Sequence, residues 1–228
     1  RSGRVDVVIA GGAAGFSKLT HAGFTALGAT ADSPCGPFGS TIGMTLGEGA
    51  AFVILERTND ALTRGAIPLG ELYDCGTSWD AYHLTTPEPS GDGMRRAIND
   101  ALTLSGIVAS DIDYITAHGT GTRANDIAET LAIKRTFETI TTPPVSATKS
   151  FTGHTLGASS ALNFIISLTA MRRGLLPPTL NFKMPRAGCD LDYVPEISRS
   201  TEVRRFLSLS AAFGGVNKRE DAGDGRWV

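Results

Sequence analysis

The chain is poor in several features that would each have decided a class of function. No apolar run approaches the ~20 residues needed to cross a bilayer; even the stretch Leu162-Asn163-Phe164-Ile165-Ile166 is short and broken by an amide. Lysine and arginine are not clustered, and a net charge of −2 with a pI near 6.1 argues against a nucleic-acid binder, which concentrates basic residues on one face. A G-x-x-x-x-G-K-[ST] nucleotide loop is missing, and so is any Cys/His/carboxylate spacing suited to zinc. Cysteine is scarce: Cys35, Cys75 and Cys189 are odd in number and unpatterned in spacing, which fits free thiols in a reducing compartment and an expected cytoplasmic location. There is no obvious nucleophile. Arg1-Ser2-Gly3-Arg4 runs straight into an apolar strand with no signal peptide, so the chain is expected to begin mid-domain.

What is present is an alternation of strands and helices. With 41% hydrophobic residues among 228, the chain can bury a large core. Val5 to Ala10, ending in Gly11-Gly12, reads as a buried strand, and Ser17 to Leu27 as a helix. Gly49 to Glu56 and Ile67 to Gly76 read as strands. Met94, Ala97, Ile98, Ala101 and Leu102 recur at helical spacing before a stop at Gly106. Two strand-loop-helix units follow: Ile112 to Ala117 with a helix from Asn125 to Phe137, capped by Thr122 or Asn125, and Val145 to Ala147 with a helix from about Thr155 to Arg173. Arg204 to Ser210 is the last clear strand. From Lys218 onward the sequence is polar and reads as a mobile tail, with an edge strand absent or altered. The pattern predicts a layered α/β fold.

The two loops carry the chemistry. His118 ends a strand and is followed by Gly119-Thr120-Gly121-Thr122; His154 closes Lys149-Ser150-Phe151-Thr152-Gly153 ahead of a helix. The positive end of that helix would disfavour the imidazolium and leave His154 neutral, a donor for an oxygen that gains charge. Two such donors would form an oxyanion site. Lys149 is expected to pair with a carboxylate, Asp126 or Glu129. His21 reads as a surface or half-buried side chain, and His83 as a loop residue whose hydrogen bond is at least as readily structural as substrate-directed.

These segments, with Asp6 to Gly12, Leu46-Gly47-Glu48-Gly49-Ala50, Asp80-Ala81-Tyr82-His83, Pro177 to Asn181, Cys189 to Pro195 and Phe213-Gly214-Gly215-Val216-Asn217, give a specific resemblance. The chain resembles the C-terminal half of a β-ketoacyl-acyl carrier protein synthase, a condensing enzyme of the thiolase superfamily. The resemblance implies a thiolase-like half with a mixed, mainly five-stranded sheet and helices on both faces, spanning residues 1–217, with 218–228 as the tail. It also implies a decarboxylative condensation of an acyl thioester with a malonyl thioester, in fatty acid or polyketide assembly.

By that resemblance His118 and His154 stabilise enolate and oxyanion charge, and Lys149 holds their network with Asp126 and Glu129 around it. Thr120 and Thr122 match hydroxyls that contact the phosphopantetheine arm of the carrier, and Phe213 matches a gating aromatic. No metal or further cofactor is implied. The nucleophilic cysteine would lie in an N-terminal half on a partner polypeptide or a removed segment. An acyl carrier protein is the second expected partner, and the complete unit would be a dimer. Alone, the half would expose a large apolar face. Three departures stand out. Asn163 occupies a position usually held by glutamate, which weakens the expected carboxylate network; the loop Phe38 to Gly43 lacks charge; and the segment after Asn217 is polar. The competing reading is a non-catalytic, chain-length-factor-like partner, which the missing cysteine favours and the retained histidines and lysine oppose. A coenzyme A thiolase fits less well, because its C-terminal cysteine motif is not found.

Overall fold

The structure is a computed structural model that describes residues 5–223. Its elements run β1 (Val7–Ala14), α1 (Lys18–Ala26), β2 (Gly49–Glu56), α2 (Thr58–Thr63), β3 (Glu71–Trp79), α3 (Asp92–Ser105), β4 (Tyr114–Thr116), α4 (Arg123–Thr136), β5 (Val145–Ser146), α5 (Lys149–Thr152), α6 (Ser159–Arg173), β6 (Leu175–Leu176), β7 (Arg199–Ser200), β8 (Arg205–Ala212) and β9 (Val216–Gly223).

The main sheet has five strands in the order β3-β9-β8-β4-β5. It is mixed: β4 runs parallel to β5 and β8, whereas β9 is antiparallel to both β3 and β8. Alternate side chains of a strand point to opposite faces, and β8 shows what each face meets. Phe206 joins Phe164, Leu168 and Met171 of α6, while Leu207 and Leu209 join Ile98 and Leu102 of α3, Ile133 of α4 and Phe137 just beyond it. Helices therefore cover both faces, as expected. Helix α3 follows its sequence pattern closely: Met94, Ala97, Ile98, Ala101 and Leu102 are all buried, and Gly106 ends the helix in the left-handed region at φ 67°.

Two segments depart from expectation. The strand beginning the chain does not stop at Gly11-Gly12 but runs through them to Ala14, paired along its length with β2. The glycines allow close approach rather than a turn, since a Cβ on Gly12 would lie 2.1 Å from the Gly157 carbonyl oxygen. The second correction concerns the tail. Lys218 to Gly223 is no tail but part of β9, hydrogen-bonded on both edges, with Thr77 and Ser210 both opposite Lys218. Pairing with two neighbours satisfies its backbone whatever its side chains prefer, and Asn217 and Ala222 are buried at 1% exposure. The remainder of the expected tail, residues 224–228, lies outside the described residues, as do residues 1–4.

β1 and β2 form a separate two-stranded sheet whose Ala51 is buried and whose Val53 packs against the α6 cluster. The opposite face leaves Val7, Ile9, Phe52 and Ile54 exposed, Ile9 at 73%. Single exposed apolar residues are ordinary, but a contiguous set on one sheet is the mark of a surface meant to be covered. Among the described residues no helix is long and apolar enough to cross a membrane.

Candidate active site

The loop after β4 is pinned from several sides. Glu129, in the second turn of α4 and fully buried, accepts from the His118 N–H at 2.7 Å and the Gly119 N–H at 2.9 Å. Asp126, also fully buried, accepts from the Gly121 N–H at 3.2 Å and from Phe38 N–H at 2.6 Å, and pairs with Arg186 at 2.7 Å. Burial raises Asp126 to about 6 against the pull of the Arg186 guanidinium. Asp126 acts on Lys149 through space, as expected of its surroundings, and also serves the glycine loop, directly at the Gly121 N–H and through Arg186.

Lys149 opens the short helix α5 and is 2% exposed. Its Nζ donates at 2.5 Å to the His118 carbonyl, not to either carboxylate as the sequence suggested. Glu129 acts on it through space, holding the ammonium against a burial that lowers it to about 8. The lysine is thus mostly charged at pH 7, and its charge is spent on His118.

His154 is fixed by its own neighbours. Its N–H donates to Thr45 at 2.7 Å and its carbonyl accepts from Gly47 at 3.1 Å. A Cβ on Gly47 would meet the Thr152 carbonyl oxygen at 2.2 Å, so the Leu46-Gly47-Glu48 motif is the backbone seat of the histidine. The ring Nδ1 accepts from the Leu156 N–H at 3.2 Å and lies 3.0 Å from Ser159 Oγ. An acceptor at Nδ1 puts the proton on Nε2, which leaves the far side of the ring a donor. Leu156 sits in the left-handed region at φ 47°, a conformation costing a leucine about 1–2 kcal/mol, and that turn presents its N–H to the ring. His154 is held down at about 3, first by burial and then by the Lys149 charge. The expectation of a neutral ring holds; its cause is not mainly the helix, since α6 begins only at Ser159.

The two imidazoles converge edge to face with centroids 5.5 Å apart. They share a cleft of about 230 Å³ with Leu156, Ser159, Ser160, Ser210 and Lys218. Thr120 and Thr122 do not line it: their hydroxyls are 2.9 Å apart and bond each other, with Thr120 4% exposed. Phe213 caps the turn between β8 and β9, half exposed, its ring 5.7 Å from Phe24 of α1. His21 is exposed, and the His83 Nδ1 accepts from the Thr85 and Thr86 N–H groups, a structural use. Ser159, the Leu156 N–H and Arg186 were not marked by the sequence, because no motif spacing links them to the groups they hold.

The depressed His154 makes stability depend on pH. Its folded value of about 3 lies below the ordinary 6.5, so below pH 6.5 the unfolded chain takes up a proton that the folded chain refuses. Stability from this group is complete above pH 6.5 and falls as pH drops towards 3, by up to about 2 kcal/mol at pH 5. Urea midpoints at pH 7 and pH 5 for the protein and its His154→Asn variant check this: the variant is expected to lose that part of the decline.

With this geometry in hand, comparison with known proteins is decisive about kinship. The beta-ketoacyl synthase C-terminal domain matches residues 69–183, and the beta-ketoacyl synthase N-terminal domain matches residues 1–61. The chain is 42% identical over 226 residues to a 3-oxoacyl-[acyl-carrier-protein] synthase 2 of Synechocystis, covering 95% of this chain and 54% of that protein. Among solved structures, the ishigamide ketosynthase/chain length factor superposes with a TM-score of 0.94 at 37% identity, over 99% of this chain and 55% of that one. A type II polyketide synthase ketosynthase in complex with its acyl-carrier protein, AntDE:AntF, superposes with a TM-score of 0.95 at 33% identity, over 99% of this chain and 58% of that one. The chain belongs to the beta-ketoacyl synthase family, ketosynthases of thiolase-like fold. It spans about half the length of the curated relatives it matches.

Proposed function

We propose that this chain supplies the oxyanion half of a β-ketoacyl-acyl carrier protein synthase. The observation that carries the reading is the convergence of His118 and His154 at 5.5 Å, with the His118 backbone held by Glu129 and Lys149 and the His154 ring held by the Leu156 N–H and Ser159. A subunit that only shaped a tunnel would have no chemical use for two imidazoles held this way.

In the proposed reaction a cysteine thiolate outside residues 1–228 displaces the carrier thiol from an acyl thioester. A malonyl thioester then loses its carboxyl group as CO₂, and the electron pair of the broken C–C bond passes into an enolate. The Nε2–H of His154, with His118 beside it, donates to the thioester oxygen where that charge gathers. The α-carbon attacks the acyl-cysteine carbonyl, a C–C bond forms, and the cysteine leaves as thiolate. Metal chemistry is not called upon. The carrier presents both substrates through its phosphopantetheine arm, for which Thr120 and Thr122 are the proposed contacts, while Phe213 stands as the proposed gate. The apolar face of β1 and β2 is the proposed seat of the polypeptide that brings the cysteine, and two complete units would pair as a dimer.

The cysteines of this chain support an external nucleophile. Cys35 is buried with its Sγ 3.4 Å from the Thr120 carbonyl, and burial pushes its thiol up to about 11. Cys189 is buried and raised in the same way, and Cys75 is exposed on β3. Native purification followed by acyl-thioester loading and iodoacetamide, read by intact mass, tests the reading. The expected result is a fast-reacting, acyl-accepting cysteine outside residues 1–228, with Cys35 and Cys189 unlabelled under native conditions. An assembly that accepts no acyl group and releases no CO₂ from a malonyl carrier would replace this reading with the non-catalytic, chain-length-factor-like partner.

A further inference from the structure

The two peptide groups that flank the His118 Cα are each held at both ends. In the His118–Gly119 peptide the carbonyl accepts from Lys149 and the Gly119 N–H donates to Glu129. In the Ala117–His118 peptide the His118 N–H donates to the other oxygen of Glu129, and the Ala117 carbonyl accepts from the Asn163 amide at 3.2 Å. Asn163 lies on α6, is 2% exposed, and its own carbonyl oxygen accepts from the Thr148 hydroxyl. Thr148 is the residue before Lys149, so adjacent residues of the second loop reach adjacent carbonyls of the first, one directly and one through Asn163.

An amide suits this position because it donates at one end and accepts at the other. A carboxylate here would face the Ala117 carbonyl oxygen with no proton to offer, leaving two acceptors opposed in a buried site. We infer that Asn163 is a positioning residue for His118, relaying the second loop to the first and fixing the ring's place in the cleft. The inference deepens the proposed condensing role of the same site and rests on it only for its effect on rate.

The expectation that an uncharged residue at 163 weakens the carboxylate network around Lys149 therefore changes sense. Glu129 still faces the lysine, and Asn163 does a task that a carboxylate could not.

The test uses Asn163→Asp, which keeps the shape and removes the donor, and Thr148→Val, which removes the hydroxyl that orients the amide. Both are made in the assembled synthase with histidines labelled with ¹⁵N. The imidazole resonances of His118 are expected to shift and broaden in both variants, while those of His154, held by Leu156 and Ser159, stay in place. In malonyl-thioester decarboxylation kcat is expected to fall ~10–100-fold with KM within about twofold, as suits a displaced group rather than lost binding. The double variant should lose no more than Asn163→Asp alone, because the two side chains act in series. An unmoved His118 spectrum in both variants overturns the inference, even if thermal stability falls. If Asn163→Asp does not fold, the His118 spectrum of Thr148→Val decides between the same two outcomes. A wild-type assembly without turnover overturns the proposed function instead, and the histidine spectrum still decides the role of Asn163.

Discussion

Replacing Glu129 by alanine is expected to destabilise the protein by about 3–5 kcal/mol and to abolish condensation. The side chain is fully buried and takes the N–H groups of His118 and Gly119 together with the Asn125 amide at 3.2 Å. Its removal leaves the two backbone donors without an acceptor at a buried site, and it leaves the Lys149 ammonium buried without its main counter-charge. Glu129→Gln keeps the shape but turns an NH₂ group towards one of the two backbone donors, so it should destabilise less and still lose most activity. Glu129→Ala combined with Lys149→Met should recover part of the stability, because the unpaired charge is gone, and none of the activity. Urea midpoints with a condensation assay read all three variants. A Glu129→Ala protein as stable as the parent would show that the carboxylate does not hold this loop.

The second large effect belongs to the histidines. His118→Ala and His154→Ala are each expected to lower the decarboxylation rate by ~10²–10³, the usual loss for one oxyanion donor. Acylation of the external cysteine should survive, because neither ring is needed to form the acyl-enzyme in the proposed sequence. If both rings act on one developing charge, the double variant will be far from the product of the two single losses. Rapid-quench acylation alongside CO₂ release separates the steps. Loss of acylation together with decarboxylation would mean that the rings serve the nucleophile instead.

Both histidines and the lysine were legible because they sit at the ends of strands and starts of helices, beside glycines that expose the backbone. Helix α3 was legible because Met94, Ala97, Ile98, Ala101 and Leu102 keep one face ahead of Gly106, and all five are buried. What could not be read is of a different kind. The partners of His154 are a backbone N–H and a serine already inside a helix, and Arg186 reaches Asp126 from a loop sixty residues away. Such pairings depend on where the chain returns, which local pattern does not encode. β9 was missed for a related reason. Lys218-Arg219-Glu220 reads as solvent-facing, yet strands on both sides supply the ladder that the residue types do not request. The Gly11-Gly12 pair misled in the opposite direction, since glycine marks close approach inside a strand as readily as it marks a turn.

The place of β9 also sets an order of events. β3 and β8 lie on either side of it and do not touch as neighbours, so the five-stranded sheet stays in two pieces until residues 216–223 have been synthesised. β3 must wait for a strand partner that follows it by more than a hundred residues, held meanwhile mainly by α3, and its free edge is open to other chains. Joining such distant segments is slow. These strands should therefore be most vulnerable to aggregation in the interval before residues 216–223 are made, when β3 and β8 exist and the strand that ties them together does not.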